Sequence, residues 1–323
     1  MEDTQPVSKV LVLDESPACL RRIKAFCEAN KLVALRVQEE NIMSVLKSNV
    51  DLGGIFISEN LSGKASAGVE IGHDIHHIRP ELPLFLRRDA GAGRDELSAE
   101  EKKSFRAAYT IDTIDDLRKS IDDCIFNMMY PNALLRGINE MTIKSLQSQF
   151  KDLDLHVETP YIVRDRLIFG EIFTLIPIES PWCRGYMSLQ TEEFSLQNLV
   201  IGNKTHIAPD EGDDFRNLNS ILGETTNLIW GAFKNRYTNM EGKAAYSSQV
   251  PIIINHLHRY ISFGSEQPQL CYKCTLTDPN ARDSSPMVIY QRFAFNLSWS
   301  PEDFRENDVS VDNLVAVGDL ELF

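Results

Sequence analysis

The sequence predicts an α/β doubly wound parallel sheet over residues 1–130, followed by an α+β unit over residues 131–300. Three observations carry this. Short apolar runs alternate with helical stretches up to residue 130, later strands follow one another directly, and one long amphipathic stretch at 215–237 divides them. The length of 323 residues suits two domains of about 100–200 residues each. Residues 301–323, rich in Asp and Glu, are expected to form a loosely attached acidic tail.

Residues 9–14 (KVLVLD) are apolar enough for a strand buried on both faces. An amphipathic helix follows over 17–30, then strands at 32–37 and 53–58, a helix at 69–78 and a strand at 82–87. Ser98 and Glu101 have capping-box spacing and open a helix that ends near Phe105. A fifth strand at 107–111 and a helix at 114–128 complete a flavodoxin-like set of elements. Pro131 closes the unit, because proline cannot continue a helix. Next come an amphipathic helix at 133–150 and strands at 153–163, 167–177 and 182–189. These three read as successive antiparallel partners, with turns at 164–166 and 179–181. A short helix at 192–201, an acidic loop at 209–213 and the long helix precede strands at 249–255, 261–264, 270–276 and 287–299.

Composition narrows the function. Lys and Arg number 33 against 47 Asp and Glu, a net charge of −14. A phosphate-backbone binder needs a basic face, so nucleic acid is not an expected partner. No run of about 18 apolar residues is present and the start, MEDTQPVSKV, is acidic, so no membrane segment and a cytoplasmic location are expected. Six cysteines in a chain without a signal peptide do not read as a disulfide framework. Cys271 and Cys274 form a CxxC within a strand, where positions three apart point to opposite faces and chelate poorly. His73, His76 and His77 have metal-binding spacing on a helix, but no carboxylate partner is evident and they read as a solvated face. The GAGR run at 91–94 lacks the strand–GxGxxG–helix setting of a dinucleotide site. No metal site and no cofactor of the chain's own is expected.

The first unit resembles a response-regulator receiver domain in VLVLDES at 10–16, GIFISENLSG at 54–63 and GVEIGHDIHHIRPELPLFL at 68–86. The resemblance implies that Asp14 and Glu15 match the acidic pair that holds Mg²⁺. Ser58 stands where the phosphoryl-accepting Asp belongs, Arg88 where a hydroxyl residue belongs, and Asp112 near the place of the lysine. A serine without a base, and with no lysine to neutralise the phosphate, does not complete the chemistry. The unit is therefore expected to be a pseudo-receiver kept for its surface. A shifted alignment would offer Asp51 or Glu59 as acceptor, but Asp51 precedes the strand and Glu59 faces the wrong way by alternation.

On the long helix, Phe215, Leu218, Leu222, Ile229 and Phe233 form one apolar stripe, with Ile221 at its margin. The opposite face carries Ser220, Glu224, Asn227, Gly231 and Lys234. Glu224 and Asn227 are three apart and project together. Gly231 costs roughly 1 kcal/mol of helix propensity relative to Ala, which suggests a close approach to the backbone there. The run DDFRNLNSILGETTNLIWGAFKN at 213–235, followed by QVPIIINH at 249–256, resembles the CheX/CheC/FliY phosphatase family of bacterial chemotaxis. The likeness extends over about 133–299, with one E-x-x-N copy, then Gly231, Lys234 and Pro251.

That resemblance implies a protein-aspartate phosphatase acting in trans on a phosphorylated response-regulator receiver. Asn227 would orient a water and Glu224 would pair with a lysine of the partner, while Ser220, Gly231 and Lys234 read as a docking ridge from their place on the same helix face. Mg²⁺ is expected in the partner receiver, and a homodimer is implied by analogy. Trp182 and Trp230 could lie at a dimer junction, but buried core suits both better. A non-catalytic scaffold that binds response regulators is the alternative.

Overall fold

The computed structural model describes residues 5–46, 51–89, 97–165, 167–169, 171–206, 215–238, 251–255, 260–262, 268–280 and 285–306. In the first 130 residues the strands are β1 (Val7–Leu13), β2 (Leu32–Arg36), β3 (Gly54–Ser58), β4 (Leu84–Arg87) and β5 (Ala107–Tyr109). They pair in parallel as β2-β1-β3-β4-β5. Alternation sends Val10 and Val12 into one core and Leu11 and Leu13 into the other, with Phe56 and Phe85 opposite Ile55, Ile57, Leu84 and Leu86. Helices α1 (Pro17–Ala29), α2 (Ile42–Leu46), α3 (Ala67–Ile78) and α4 (Leu117–Cys124) connect the strands. Ser16 caps α1 through a bond from the Cys19 amide, with Pro17 at the first position.

Three local expectations change. The Ser98–Glu101 capping box forms reciprocally, at 2.8 and 3.3 Å, but opens only a single 3₁₀ turn, Glu101–Lys103. The helix expected to reach 128 is a 3₁₀ turn followed by α4, and it stops at Cys124. A short helix, α2, was not legible in the sequence.

The remaining elements are α5 (Asn132–Gln149), β6 (Asp154–Val157), β7 (Tyr161–Val163), β8 (Leu167–Phe169), β9 (Ile172–Glu179), β10 (Cys183–Thr191), α6 (Glu193–Ile201), α7 (Phe215–Tyr237), β11 (Ile252–Asn255), β12 (Tyr260–Ser262), β13 (Gln269–Thr277) and β14 (Met287–Trp299). The 153–163 stretch is two strands, both antiparallel to β13, interrupted at 158–160 where Pro160 has no amide hydrogen to give. It does not pair with 167–177 as expected. The β9–β10 hairpin does form, and order runs β11-β9-β10-β14-β13 through antiparallel ladders. β8 and β12 make a separate pair.

The two halves share one twelve-stranded mixed sheet. β7, antiparallel to β13, is parallel to the start of β1 through Val7–Tyr161 and Ser8–Ile162. Buried charges close the seam. Asp51 accepts from Arg292 at 2.7 Å and from the Tyr161 hydroxyl at 2.6 Å, and Arg79 pairs with Glu81 and with Asp165 at 3.2 Å. One hydrophobic cluster runs from Val10 and Phe26 through Tyr130 and Leu134 to Phe233 and Phe293.

Trp182 and Trp230 are both core residues, Trp182 ringed by Phe295, Trp299 and Phe304. Phe304 also packs on Tyr237, and Glu306 pairs with Arg236, so the expected loose tail begins firmly anchored; residues 307–323 lie outside the described residues. Cys271 and Cys274 fall in different clusters on opposite faces, as strand alternation requires.

Candidate functional site

The face that α7 turns outward is set by what it buries. Leu218, Ile221, Leu222, Ile229 and Phe233 are inside, with Ile221 fully in the core rather than at the margin; the Phe215 side chain lies outside the described residues. Between Glu224 and Asn227 lie two fully buried threonines. At 100° per residue, the 225/226 pair points opposite to the 224/227 pair. Thr225 bonds the Ile221 carbonyl and Thr226 the Leu222 carbonyl, both at 2.7 Å, and Thr226 also meets Thr174 of β9 at 2.6 Å. The burial of both threonines and the Thr226–Thr174 bond fix the rotation of the helix on the sheet and hold Glu224 and Asn227 on the outer flank.

Asn227 is exposed and Glu224 half-buried. Neither side chain has a hydrogen bond or ion pair among the described residues. Both line a groove of about 560 Å³, together with Ser220, Asn219 and Gly223 of α7, Ser148 and Gln149 at the end of α5, His206, and Pro251 and Ile253 at β11. Gly223 matters to its shape, since an added Cβ would stand 3.1 Å from Ile253. Among the predicted docking residues, Ser220 is in the groove, while Gly231 and Lys234 lie further along the helix outside its lining. Nothing lies within 4 Å of a Cβ built on Gly231, so the close approach expected there is not made by the chain itself. The acidic loop at 209–213 lies outside the described residues.

The degenerate receiver site is built differently from the sequence expectation. Ser58 pairs with Arg87, not Arg88, across the β3–β4 register. The Arg87 guanidinium enters the site, bonding Asp14 at 2.5 Å, Ser58 at 2.6 Å and Asp89 at 3.0 Å. Asp14, Ser58 and Arg87 are all buried. Burial alone would lower the Arg87 pKa, but the hydrogen bond and charge of Asp14 and the bond to Asp89 raise it. Arg88 turns the other way, to Glu59 and Glu101, because successive residues alternate faces. Burial pushes Glu101 up, but bonds from Ser98 and Arg88 outweigh it and hold the carboxyl below its usual range.

Of the other predicted residues, Glu15 accepts from Ser62 at 3.0 Å, and Asp112 is exposed and has no described contact with the cluster. The shifted-alignment acceptors are both engaged elsewhere, Asp51 at the seam with Arg292 and Glu59 on Arg88. His73 bonds Ser104 at 2.7 Å and packs on Phe105, and no acid–histidine–cysteine group able to hold a metal occurs among the described residues. The GAGR loop lies outside the described residues.

Sequence reasoning missed Arg87, Gln149, Asn219 and His206. Arg87 ends β4, and counting side-chain alternation on from Phe85, which shares a face with Phe56, could have picked it. Gln149, Asn219 and His206 carry no local signal, because only the packing of α5, the segment after α6 and α7 brings them together.

No family model matches the chain, and no curated protein matches its sequence. Among solved structures, a chemotactic CheC-like protein from Shewanella oneidensis is 18% identical, covering 50% of this chain and 97% of that one, with a TM-score of 0.36. The chemotaxis protein CheX from Vibrio vulnificus is 18% identical, covering 50% of this chain and 98% of that one, with a TM-score of 0.34. A response-regulator receiver domain protein from Clostridium thermocellum is 17% identical, covering 38% and 96%, with a TM-score of 0.32. No helix among the described residues is long and apolar enough to cross a membrane.

Proposed function

We propose that this chain is a protein-aspartate phosphatase acting in trans on phosphorylated response-regulator receivers, in two-component or chemotaxis signalling. The observation that supports this is the pair Glu224 and Asn227, held side by side on the outer flank of α7 beside an open groove and unbonded among the described residues.

An aspartyl phosphate is an acyl phosphate, so a catalyst need only aim a water and steady the docked partner. The Asn227 amide carbonyl accepts a bond from the water and turns its lone pair to phosphorus. The water oxygen bonds to phosphorus as the bond to the aspartyl oxygen breaks, and the electron pair leaves with the carboxylate. The water's surplus proton passes to the released phosphate or solvent, so Asn227 never acts as a base. Glu224 pairs with a lysine of the partner and sets the register between the two proteins. Mg²⁺ held in the partner's own site would supply charge neutralisation, and this chain is expected to bring no cofactor. Ser220, Gly231 and Lys234 continue the docking ridge, with the Gly231 backbone left open.

The first 130 residues act as a pseudo-receiver with a fixed surface, since Arg87 already fills the site between Asp14 and Ser58. A homodimer in the cytoplasm completes the reading. The same Arg87 arrangement favours a second reading, a scaffold that binds regulators without turnover.

The test is phosphate release from a panel of phosphorylated receivers. The wild type is expected to exceed spontaneous decay, Asn227→Ala to lose roughly a hundredfold in kcat, and Glu224→Ala to lose complex formation. Equal release with wild type, both variants and buffer overturns the enzyme, and binding without turnover establishes the scaffold.

A further inference from the structure

Two buried amide oxygens of residues that line the α7 groove have no hydrogen-bond partner among the described residues: Gln149 Oε1 and Asn219 Oδ1. Gln149 is only 8% exposed, and both residues line the groove beside Glu224 and Asn227. A buried polar atom left unpaired is costly, so such groups in folded proteins are expected to meet a donor. Among the described residues nothing in this part of the chain supplies one. Ser148 gives its hydroxyl to the Ser145 carbonyl, and the His206 amide goes to the Gln149 carbonyl.

The surroundings favour a positive donor. Among the described lining residues Glu224 is the carboxylate, His206 is the other titratable side chain, and none is Lys or Arg. Gln149 is the last residue of the eighteen-residue helix α5, whose carbonyl end carries partial negative charge. Oxygen acceptors, a carboxylate and a helix C-terminus around one opening suit a protonated group with several N–H donors.

Granting α7 the docking role proposed above, we infer that Gln149 and Asn219 form an acceptor subsite beside the Glu224/Asn227 pair. It takes a second cationic side chain of the docking protein, distinct from the lysine assigned to Glu224. Proteins that present two suitably spaced basic side chains dock, and those with one dock more weakly. Gln149 and Asn219 are thus specificity-determining residues that take no part in moving protons.

The test has two arms on the full chain. In the first, methylguanidinium chloride is titrated against NaCl at matched ionic strength while backbone amide NMR signals of Ser148, Gln149 and Asn219 are followed. Saturable shifts are expected with methylguanidinium alone. Gln149→Leu or Asn219→Leu should weaken this binding roughly tenfold, and Gln149→Glu should strengthen it. Shifts equal to the NaCl control, or weaker binding by Gln149→Glu than by the wild type, overturn the subsite. Gln149→Glu keeps the size and polarity of the native side chain, so the sign of its effect remains readable if the leucine variants fold poorly.

The second arm measures phosphate release from receivers that the wild type hydrolyses. The leucine variants should raise KM, with the loss falling on KM rather than kcat, and an effect on kcat alone overturns the subsite. Should the wild type hydrolyse none while methylguanidinium still saturates, the phosphatase fails and the subsite stands.

Discussion

Replacing Arg87 tests how the degenerate receiver site is held together. Its side chain is 9% exposed and that of Asp14 is 1% exposed, so both charges of the pair are out of water. Arg87→Met keeps most of the apolar stem but leaves the Asp14 carboxylate with one bond, from the Ser16 amide at 2.8 Å. Breaking a buried pair from one side costs about 3–5 kcal/mol, because an uncompensated charge remains. Asp14→Asn leaves the guanidinium with Ser58 and Asp89, the latter half in solvent, and should cost less. The double variant removes both charges and should be more stable than the sum of the single losses by about 2 kcal/mol or more. Urea unfolding of the full chain for the four proteins, at fixed pH and salt, gives the coupling. A loss below about 1 kcal/mol for Arg87→Met, or strict additivity, would refute a buried cation holding this site. The same melts in millimolar Mg²⁺ should leave the wild-type midpoint unchanged, because a ligand that does not bind the folded state cannot shift it.

Gly231→Ala should stabilise the chain by up to about 1 kcal/mol, as a Cβ there meets nothing and helix propensity rises. If phosphate release falls while thermal stability rises, a partner uses the open backbone. Asp51→Ala removes the carboxylate that accepts from buried Arg292 and from Tyr161, costing about 3–5 kcal/mol, read from urea midpoints. The wild type should unfold in one transition because the sheet is continuous, and calorimetry of Asp51→Ala should show two if the seam is what couples the halves. Burial pushes the Cys27, Cys183 and Cys274 thiols up to about 12. An unfolded thiol titrates near ~8.5, so their contribution is full below that pH and declines as pH rises toward 12. Thermal melts across this range should show the decline, and native thiol labelling should modify half-buried Cys19 first.

Much of the fold is legible because it is local. KVLVLD reads as a strand from its apolar run, 215–237 as a helix from its period, and 287–299 as a strand from its β-branched and aromatic residues; the structure places elements at Val7–Leu13, Phe215–Tyr237 and Met287–Trp299. The direction of the Glu224/Asn227 face was legible for the same reason, since helical rotation follows from the sequence spacing. Arg88 does follow the fourth strand, but the side chain that enters the site is that of its neighbour Arg87, and in a strand one residue reverses the face. The pairing of β7 with β1 was invisible, because hydrogen bonds between segments some 150 residues apart (Ser8 to Ile162) depend on neither local propensity nor pattern.

The residues by themselves therefore determined most of the longer helices and strands, which faces are apolar, and that Glu224 and Asn227 share an outward ridge. Tertiary structure alone decided that both halves belong to one sheet, that a guanidinium sits among Asp14 and Ser58, and that Gln149 and Asn219 line one groove. Periodicity is written in neighbouring residues, whereas burial, charge pairing and unpaired acceptors depend on which distant segments the folded chain brings within a few ångströms.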